Sequence, residues 1–287
     1  MTLMPTQPEI PNASDRQFAV AERECAVISN DAVNAEYRML VLSAPPVFTA
    51  AQPGQFFHLL CPRGGGEAPF FRRPMSVYRV DPDKGEVAFL YKVTGAGTES
   101  MAALRPGDGF NILGPLGIGF DLPDGIRHVL LLARGVGLAT LAPLAQVVAA
   151  RPDVRATAIF SARKPEFLMS VDYMAAHGVD VVGVTDSEGT SAVDRVESLM
   201  RDLLAGGNGV PPVDAIYTCG SNRLMRLAQK LAAERGIFGQ VAMEQQMACG
   251  LGMCFCCVRD FNVGGDIVHR RVCCEGPVFD LQEAVSW

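Results

Sequence analysis

The chain has 287 residues, of which 49% are hydrophobic and 20% charged, enough apolar material to bury more than one core and enough length for two or three domains. A formal net charge of −6 and a pI near 5.3 argue against a nucleic-acid binder. The longest apolar run, His128 to Ala133, is far too short to span a membrane. Residues 1–17 show neither a charged n-region nor an apolar h-region and read as a flexible tail, which makes a cytoplasmic location the expectation.

From 18 to 122 the pattern is short strands punctuated by Gly and Pro: AVISN, EYRMLVLSA, QFFHLLCP, PMSVYRV and EVAFLYKV, with breakers at Pro45-Pro46, Pro53-Gly54 and Asp83-Lys84-Gly85. Strands at this spacing predict a small antiparallel β-barrel. Between 126 and 239 the character changes. RHVLLLA reads as a buried strand, followed by a glycine turn and an apolar helix from Leu138 to Ala149. VRATAIFSA, VDVVGVT and VDAIYTCG then recur as strands with helical stretches between them. Alternating strand and helix predicts a doubly wound parallel α/β sheet. The remainder, 240–287, reads as a separate small C-terminal unit, so the fold class expected is a multidomain one.

That last unit holds six of the nine cysteines between Cys249 and Cys274. Cys249, Cys254, Cys257 and Cys273 are spaced C-x4-C-x2-C-x15-C, and C-x4-C-x2-C with a distant fourth Cys is the plant-type 2Fe–2S arrangement. The x4 step lets a loop wrap one edge of a flat cluster, the x2 step adds a third thiolate, and a later segment closes the cage. Gly250 and Gly252 let the backbone pass close to the sulfides. A structural zinc site more naturally shows two C-x2-C knuckles, and only one such step exists here. A disulfide framework belongs to small secreted chains. Cys256 and Cys274 each adjoin a proposed ligand and leave alternative registers open, with an x6 loop or an x16 return; both rank as spare thiols.

Arg73-Pro74-Met75-Ser76, then Gly95-Ala96-Gly97-Thr98, then GPLGIGF from Gly114 to Phe120, resemble the ferredoxin-reductase superfamily. With the cysteine loop and Gly276-Pro277-Val278-Phe279 added, the chain resembles, from about Cys25 to Phe279, the electron-transfer subunits of type B dihydroorotate dehydrogenases. The resemblance implies FAD bound through Arg73, Pro74, Met75 and Ser76, through Leu90, Tyr91 and Lys92, and through Gly97 and Thr98. Chemically, Arg73 offers a fork of donors to a pyrophosphate and Ser76 a hydroxyl to the flavin edge. Taken alone, the same four residues would also suit a barrel strand that ends in a surface Arg and a capping Ser.

The family's dinucleotide turn, Gly-Gly-Gly-x-Gly-x-Ala-Pro-Leu, is altered here. Ala133 and Arg134 replace two glycines and Thr140 replaces the proline, while Gly135 and Gly137 remain. Cys219 and Gly220, which border the nicotinamide in the family, are retained, making Cys219 the residue expected at the catalytic contact. The changes leave NAD binding open: Arg134 could contact a phosphate or fill the space the dinucleotide needs.

Other residues point nowhere definite. The histidines (His58, His128, His177, His269) show no metal-ligand spacing. Cys25 and Cys61 fit small buried hydrophobes, and Glu244 fits a solvated charge better than an orienting group. The resemblance implies a partner, an FMN-containing catalytic subunit that oxidises dihydroorotate, with electrons passing through the 2Fe–2S cluster and FAD to NAD. The altered turn keeps two alternatives: a reductase subunit for another partner, such as a ferredoxin:NADP or sulfur-reducing complex, and a redox-silent scaffold.

Overall fold

A computed structural model describes residues 19–63, 69–207 and 209–285; the tail expected at 1–17 lies outside the described residues. The first part comprises β1 (Ala21–Ala32), β2 (Tyr37–Ser43), α1 (Pro46–Thr49), β3 (Phe56–Leu59), β4 (Arg73–Ser76), β5 (Arg79–Asp81), β6 (Glu86–Lys92), α2 (Ala96–Ala102) and β7 (Gly109–Leu116). All its strand pairings are antiparallel, in the order β4-β3-β7-β1-β2-β6-β5.

The barrel predicted from sequence is a curled sheet, with no ladder between its two edge strands. Those edges, β4 and β5, are joined by Val77 and Tyr78 alone, so the covalent chain brings the two ends of the sheet together. The curl is made in β1, whose first half pairs with β7 and whose second half pairs with β2, with a bulge between Val27 and Ser29.

The second part comprises β8 (His128–Arg134), α3 (Leu138–Ala149), β9 (Arg155–Ala162), α4 (Val171–Ala176), β10 (Val179–Thr185), α5 (Val193–Ala205), β11 (Ala215–Cys219), α6 (Asn222–Arg235) and β12 (Phe238–Ala242). These strands are parallel, in the order β10-β9-β8-β11-β12. Strand β8 shows why its run is apolar throughout. Val129, Leu131 and Ala133 pack on the α3 side, whereas Leu130 and Leu132 pack against α5 and α6. Both faces of a parallel strand are covered, as βαβ crossovers require.

The same period of two explains EVAFLYKV. Val87, Phe89 and Tyr91 fill the curled sheet, while Ala88 and Leu90 join the core that carries α3. The two sheets therefore share a core.

The last part holds the cysteine loop, a hairpin of β13 (Val258–Val263) and β14 (Asp266–Arg271), the short α7 (Val272–Glu275) and β15 (Val278–Asp280). Strand β15 adds antiparallel to β12 and becomes the sixth strand of the second sheet. Among the described residues no helix is long and apolar enough to cross a membrane.

Candidate functional site

Two cavities open at the carboxyl ends of the parallel strands, where α/β sheets bind their ligands. The larger, about 810 Å³, is lined from the curled sheet by Phe56, Arg73, Pro74, Met75, Ser76 and Leu90. Its opposite wall is the segment leading into the cysteine loop, Glu244 to Ala248, together with Cys256 and Arg259. The smaller, about 260 Å³, is lined by Tyr37, Arg134, Gly135, Val136, Arg163, Gly220 and Glu244 among others.

Arg73 donates from Nη1 to the Phe71 carbonyl at 2.7 Å and, among the described residues, has no carboxylate partner. Its neighbour Arg72, by contrast, is paired with Glu22 at 2.6 Å. A guanidinium left unneutralised at a cavity wall suits a phosphate. Gly97 lies against it, since a Cβ there would stand 2.8 Å from Arg73 Nε. The Thr98 hydroxyl accepts from the N–H groups of Thr94 and Gly95 at 2.8 and 3.2 Å, tying down the start of α2.

Two predicted flavin residues place their side chains elsewhere. The Tyr91 ring is fully buried inside the curled sheet and its hydroxyl donates to Asn30 at 3.0 Å. Lys92 is paired with Glu36 at 2.9 Å. Period-two alternation along β6 leaves Leu90 as its contribution to the cavity.

The glycine turn after β8 and the end of β11 interlock. A Cβ on Gly137 would meet the Cys219 carbonyl carbon and the Gly220 Cα at 2.7 Å, and one on Gly220 (φ +87°) would meet the Arg134 carbonyl at 2.4 Å. Both glycines are required for two backbones to touch. Arg134 turns aside from this contact: Nη1 donates to Ser161 Oγ at 2.7 Å and both terminal nitrogens grip the Asp186 carboxylate, at 3.1 and 2.5 Å. The Arg134 guanidinium and the Ser191 hydroxyl hold the Asp186 carboxyl well down, at about 2, so that carboxylate is ionised throughout the neutral range. Cys219 is 2% exposed, and burial followed by the nearby Glu244 charge keeps its thiol protonated.

In the cysteine loop the sulfurs fall into two pairs. Cys249 and Cys254 lie within hydrogen-bonding reach of each other, as do Cys257 and Cys273, and Cys273 also reaches Cys274. Burial works against ionisation of Cys249, but the backbone N–H groups of Leu251, Cys254 and Met253 and the Cys254 thiol outweigh it and bring it down to about 7. The Cys273 thiol and the N–H groups of Cys273 and Val272 bring Cys257 down to about 6. The Gly252 N–H donates to Cys273 Sγ at 3.2 Å.

Backbone donors aimed at sulfur are what an iron–sulfur cage needs. Among the described residues no three His, Cys, Asp or Glu side chains converge as ligands of a single ion. Cys249 with Cys254 and Cys257 with Cys273 would instead supply two ligands to each iron of a flat two-iron cluster. The donor set therefore fits 2Fe–2S better than zinc. Cys256 lies outside both pairs and lines the large cavity, with its thiol 3.8 Å from the Gln246 carbonyl. Cys274 sits against Gly252 and hydrogen-bonds Cys273.

Three residues gain a place that sequence reasoning did not assign. Glu244 lines both cavities; it is open to them yet surrounded by protein, and burial raises its carboxyl. Arg271 braces the loop, stacking on Phe255 at 5.2 Å, donating to the Gly252 carbonyl at 3.1 Å and pairing with Glu275 at 2.7 Å. His58, fully buried, rests its ring where a Gly250 side chain would go, 2.8 Å from the Cβ position. The one signal available for these was adjacency in sequence to the cysteine loop, which Glu244 and Arg271 have and His58 lacks.

A curled antiparallel sheet, a parallel α/β sheet and a thiolate loop that shares a cavity with both define a ferredoxin-reductase-like protein with an iron–sulfur module. A solved structure described as an NADH-dependent reduced ferredoxin-NADP oxidoreductase superposes with a TM-score of 0.74 at 24% identity, covering 90% of this chain and 88% of that one. The ferredoxin reductase of carbazole 1,9a-dioxygenase superposes with a TM-score of 0.61 at 18% identity, covering 77% and 68%. Residues 244–285 match the iron–sulfur cluster binding domain of dihydroorotate dehydrogenase B. The dihydroorotate dehydrogenase B (NAD(+)) electron transfer subunit of Desulforamulus reducens is 34% identical over 242 residues, 84% of this chain and 90% of that protein. Its counterpart in Bacillus caldolyticus is 31% identical over 252 residues, 86% and 91%. The chain belongs to the family of dihydroorotate dehydrogenase B electron transfer subunits.

Proposed function

We propose that this chain is an oxidoreductase subunit that holds FAD in the large cavity, a 2Fe–2S cluster on Cys249, Cys254, Cys257 and Cys273, and NAD at the small cavity. Its partner in this reading is an FMN-containing dihydroorotate dehydrogenase subunit, with which it forms a hetero-oligomer. The units are 18–122 for FAD, 126–239 for NAD and 240–287 for the cluster, with β15 returning to complete the second sheet. None of the nine cysteines is in a disulfide, and the location in this reading is the reducing cytoplasm.

The observation that carries the reading is the shared wall: the cavity lined by Arg73 to Ser76 is closed on its far side by the residues that run into the cluster loop. FAD supplies the exchange between paired electrons, as in hydride, and the single electrons a cluster carries. Arg73 binds the pyrophosphate, with Gly97 giving it room. Leu90, Pro74 and Met75 form an apolar wall that excludes water from the ring. Gly135, Gly137 and Gly220 let the two loops close at the mouth of the small cavity, beside Cys219. Gly250 and Gly252, both at positive φ, turn the backbone so that its N–H groups face sulfur.

The test is the visible spectrum, with flavin and iron analysis, of the protein purified anaerobically alone and with its partner. About one FAD and two irons per chain, with bleaching by NADH, are expected. Zinc in place of iron, or flavin that NADH leaves oxidised, would refute the reading.

A further inference from the structure

We propose that Thr140 is a positioning residue: it fixes the direction of a buried hydrogen-bond chain from Cys219 through Thr140 to Ser76, and so leaves the Ser76 hydroxyl as a donor into the large cavity. The inference rests on the function proposed above, because it concerns what the flavin would meet there.

Cys219 Sγ lies 3.6 Å from Thr140 Oγ1, and Thr140 Oγ1 lies 2.8 Å from Ser76 Oγ. Cys219 and Thr140 are 2% and 5% exposed. Ser76 and Thr140 both line the cavity. The three side chains come from three separate elements: the end of β11, the first turn of α3 and the end of β4. The Gly137–Gly220 contact sets the start of α3 against the end of β11 and so brings Thr140 to Cys219.

The direction of the chain follows from its buried end. A thiol has one S–H to give and its sulfur is a weak acceptor, whereas a threonine hydroxyl has one proton and two lone pairs. The Cys219 thiol stays protonated in its burial beside Glu244, so its S–H goes to Thr140. The single proton of Thr140 then goes to Ser76. Ser76, already supplied with a donor, keeps its own O–H for the cavity. The proline of the family turn has no hydroxyl and could form neither link. Hydrogen bonds to a flavin ring are among the means by which a protein sets its electronics, so the Thr140 hydroxyl acts on the flavin through Ser76 while its methyl and backbone serve only packing.

The experiment compares wild type, Thr140→Val and Thr140→Ser as purified holoproteins. Valine keeps the shape and removes the hydroxyl; serine keeps the hydroxyl. Flavin content, iron content, the flavin absorption bands, the midpoint potential and stopped-flow reduction by NADH are measured. Thr140→Val is expected to keep FAD and iron, with shifted flavin bands and potential and a limiting reduction rate about tenfold lower at an unchanged apparent Kd for NADH. Thr140→Ser is expected to behave as wild type in all five. A Thr140→Val protein with wild-type spectrum, potential and rate overturns the inference. So do equal losses in both variants, which would make the position one of packing. If Thr140→Val does not fold, a tenfold slower Thr140→Ser overturns the inference on its own. Wild type purified without flavin overturns the proposed function and this inference with it, whereas flavin-loaded wild type matched by Thr140→Val overturns this inference alone.

Discussion

At the scale of single residues, Cys256 faces away from the other sulfurs of the cysteine loop, whereas Cys274 touches Cys273, and substitution decides which of them are ligands. Cys254 is paired with Cys249, so Cys254→Ser is expected to abolish the broad cluster absorbance and to lower iron, with FAD retained. Cys256 faces the Gln246 carbonyl and the cavity, and Cys256→Ser is expected to keep about two irons per chain. Cys274→Ser is expected to do the same; iron lost from either variant would move the register. Arg73 offers the parallel case for FAD. Removing its guanidinium takes away a charge-assisted phosphate contact worth about 1.5–3 kcal/mol. Arg73→Ala should therefore weaken FAD binding by about one to two orders of magnitude in a flavin titration. An unchanged dissociation constant would reduce Arg73 to a brace for the Phe71 carbonyl.

At the scale of elements, the turn between β8 and α3 carries a departure from the family pattern. Arg134 stands where a glycine is the family pattern, yet it is gripped by Asp186 and Ser161 and does not project freely into the cavity. Its charge is matched by a carboxylate that is ionised at neutral pH. Arg134→Gly would expose that carboxylate beside the expected pyrophosphate, and like charges repel. Stopped-flow reduction by NADH is expected to show a several-fold higher apparent Kd for Arg134→Gly and recovery in Arg134→Gly/Asp186→Asn. Tighter binding in the single variant would show that Arg134 fills the nucleotide's space.

The elements themselves were largely legible in the sequence: the helix Leu138–Ala149 and the strand Val179–Thr185 coincide with those predicted, because each carries its own periodicity and its own stops. The division of PMSVYRV into β4 and β5 was not legible, since it depends on where the sheet curls back on itself. Nor was the place of Glu244, a charge that local sequence assigns to solvent until two cavities form on either side of it. The inward turn of Tyr91 depends on strand phase, which the unbroken apolar run from Val87 to Tyr91 does not display.

At the scale of the whole molecule, the cysteine module is tied to both sheets by the segment Gly276–Pro277. The Ile118 N–H, just after β7, donates to the Gly276 carbonyl at 2.6 Å, and the Met243 N–H, just after β12, donates to the Pro277 carbonyl at 2.9 Å. One dipeptide thus bonds to the ends of both sheets, immediately after the cysteines of α7. The contact depends on Gly117, at φ +80°, where a Cβ would stand 2.5 Å from both the Gly276 oxygen and Pro277 Cδ. Backbone on one side and a rigid ring on the other leave nothing that can yield cheaply. Gly117→Ala is therefore expected to cost about 2–4 kcal/mol, from a left-handed backbone forced on alanine and from the steric clash. Thermal unfolding followed by flavin release and by cluster bleaching should show both signals at lower temperature, because Gly276–Pro277 bonds beside both proposed cofactor sites. If only one signal moves, Gly276–Pro277 serves that site and not the joint between them.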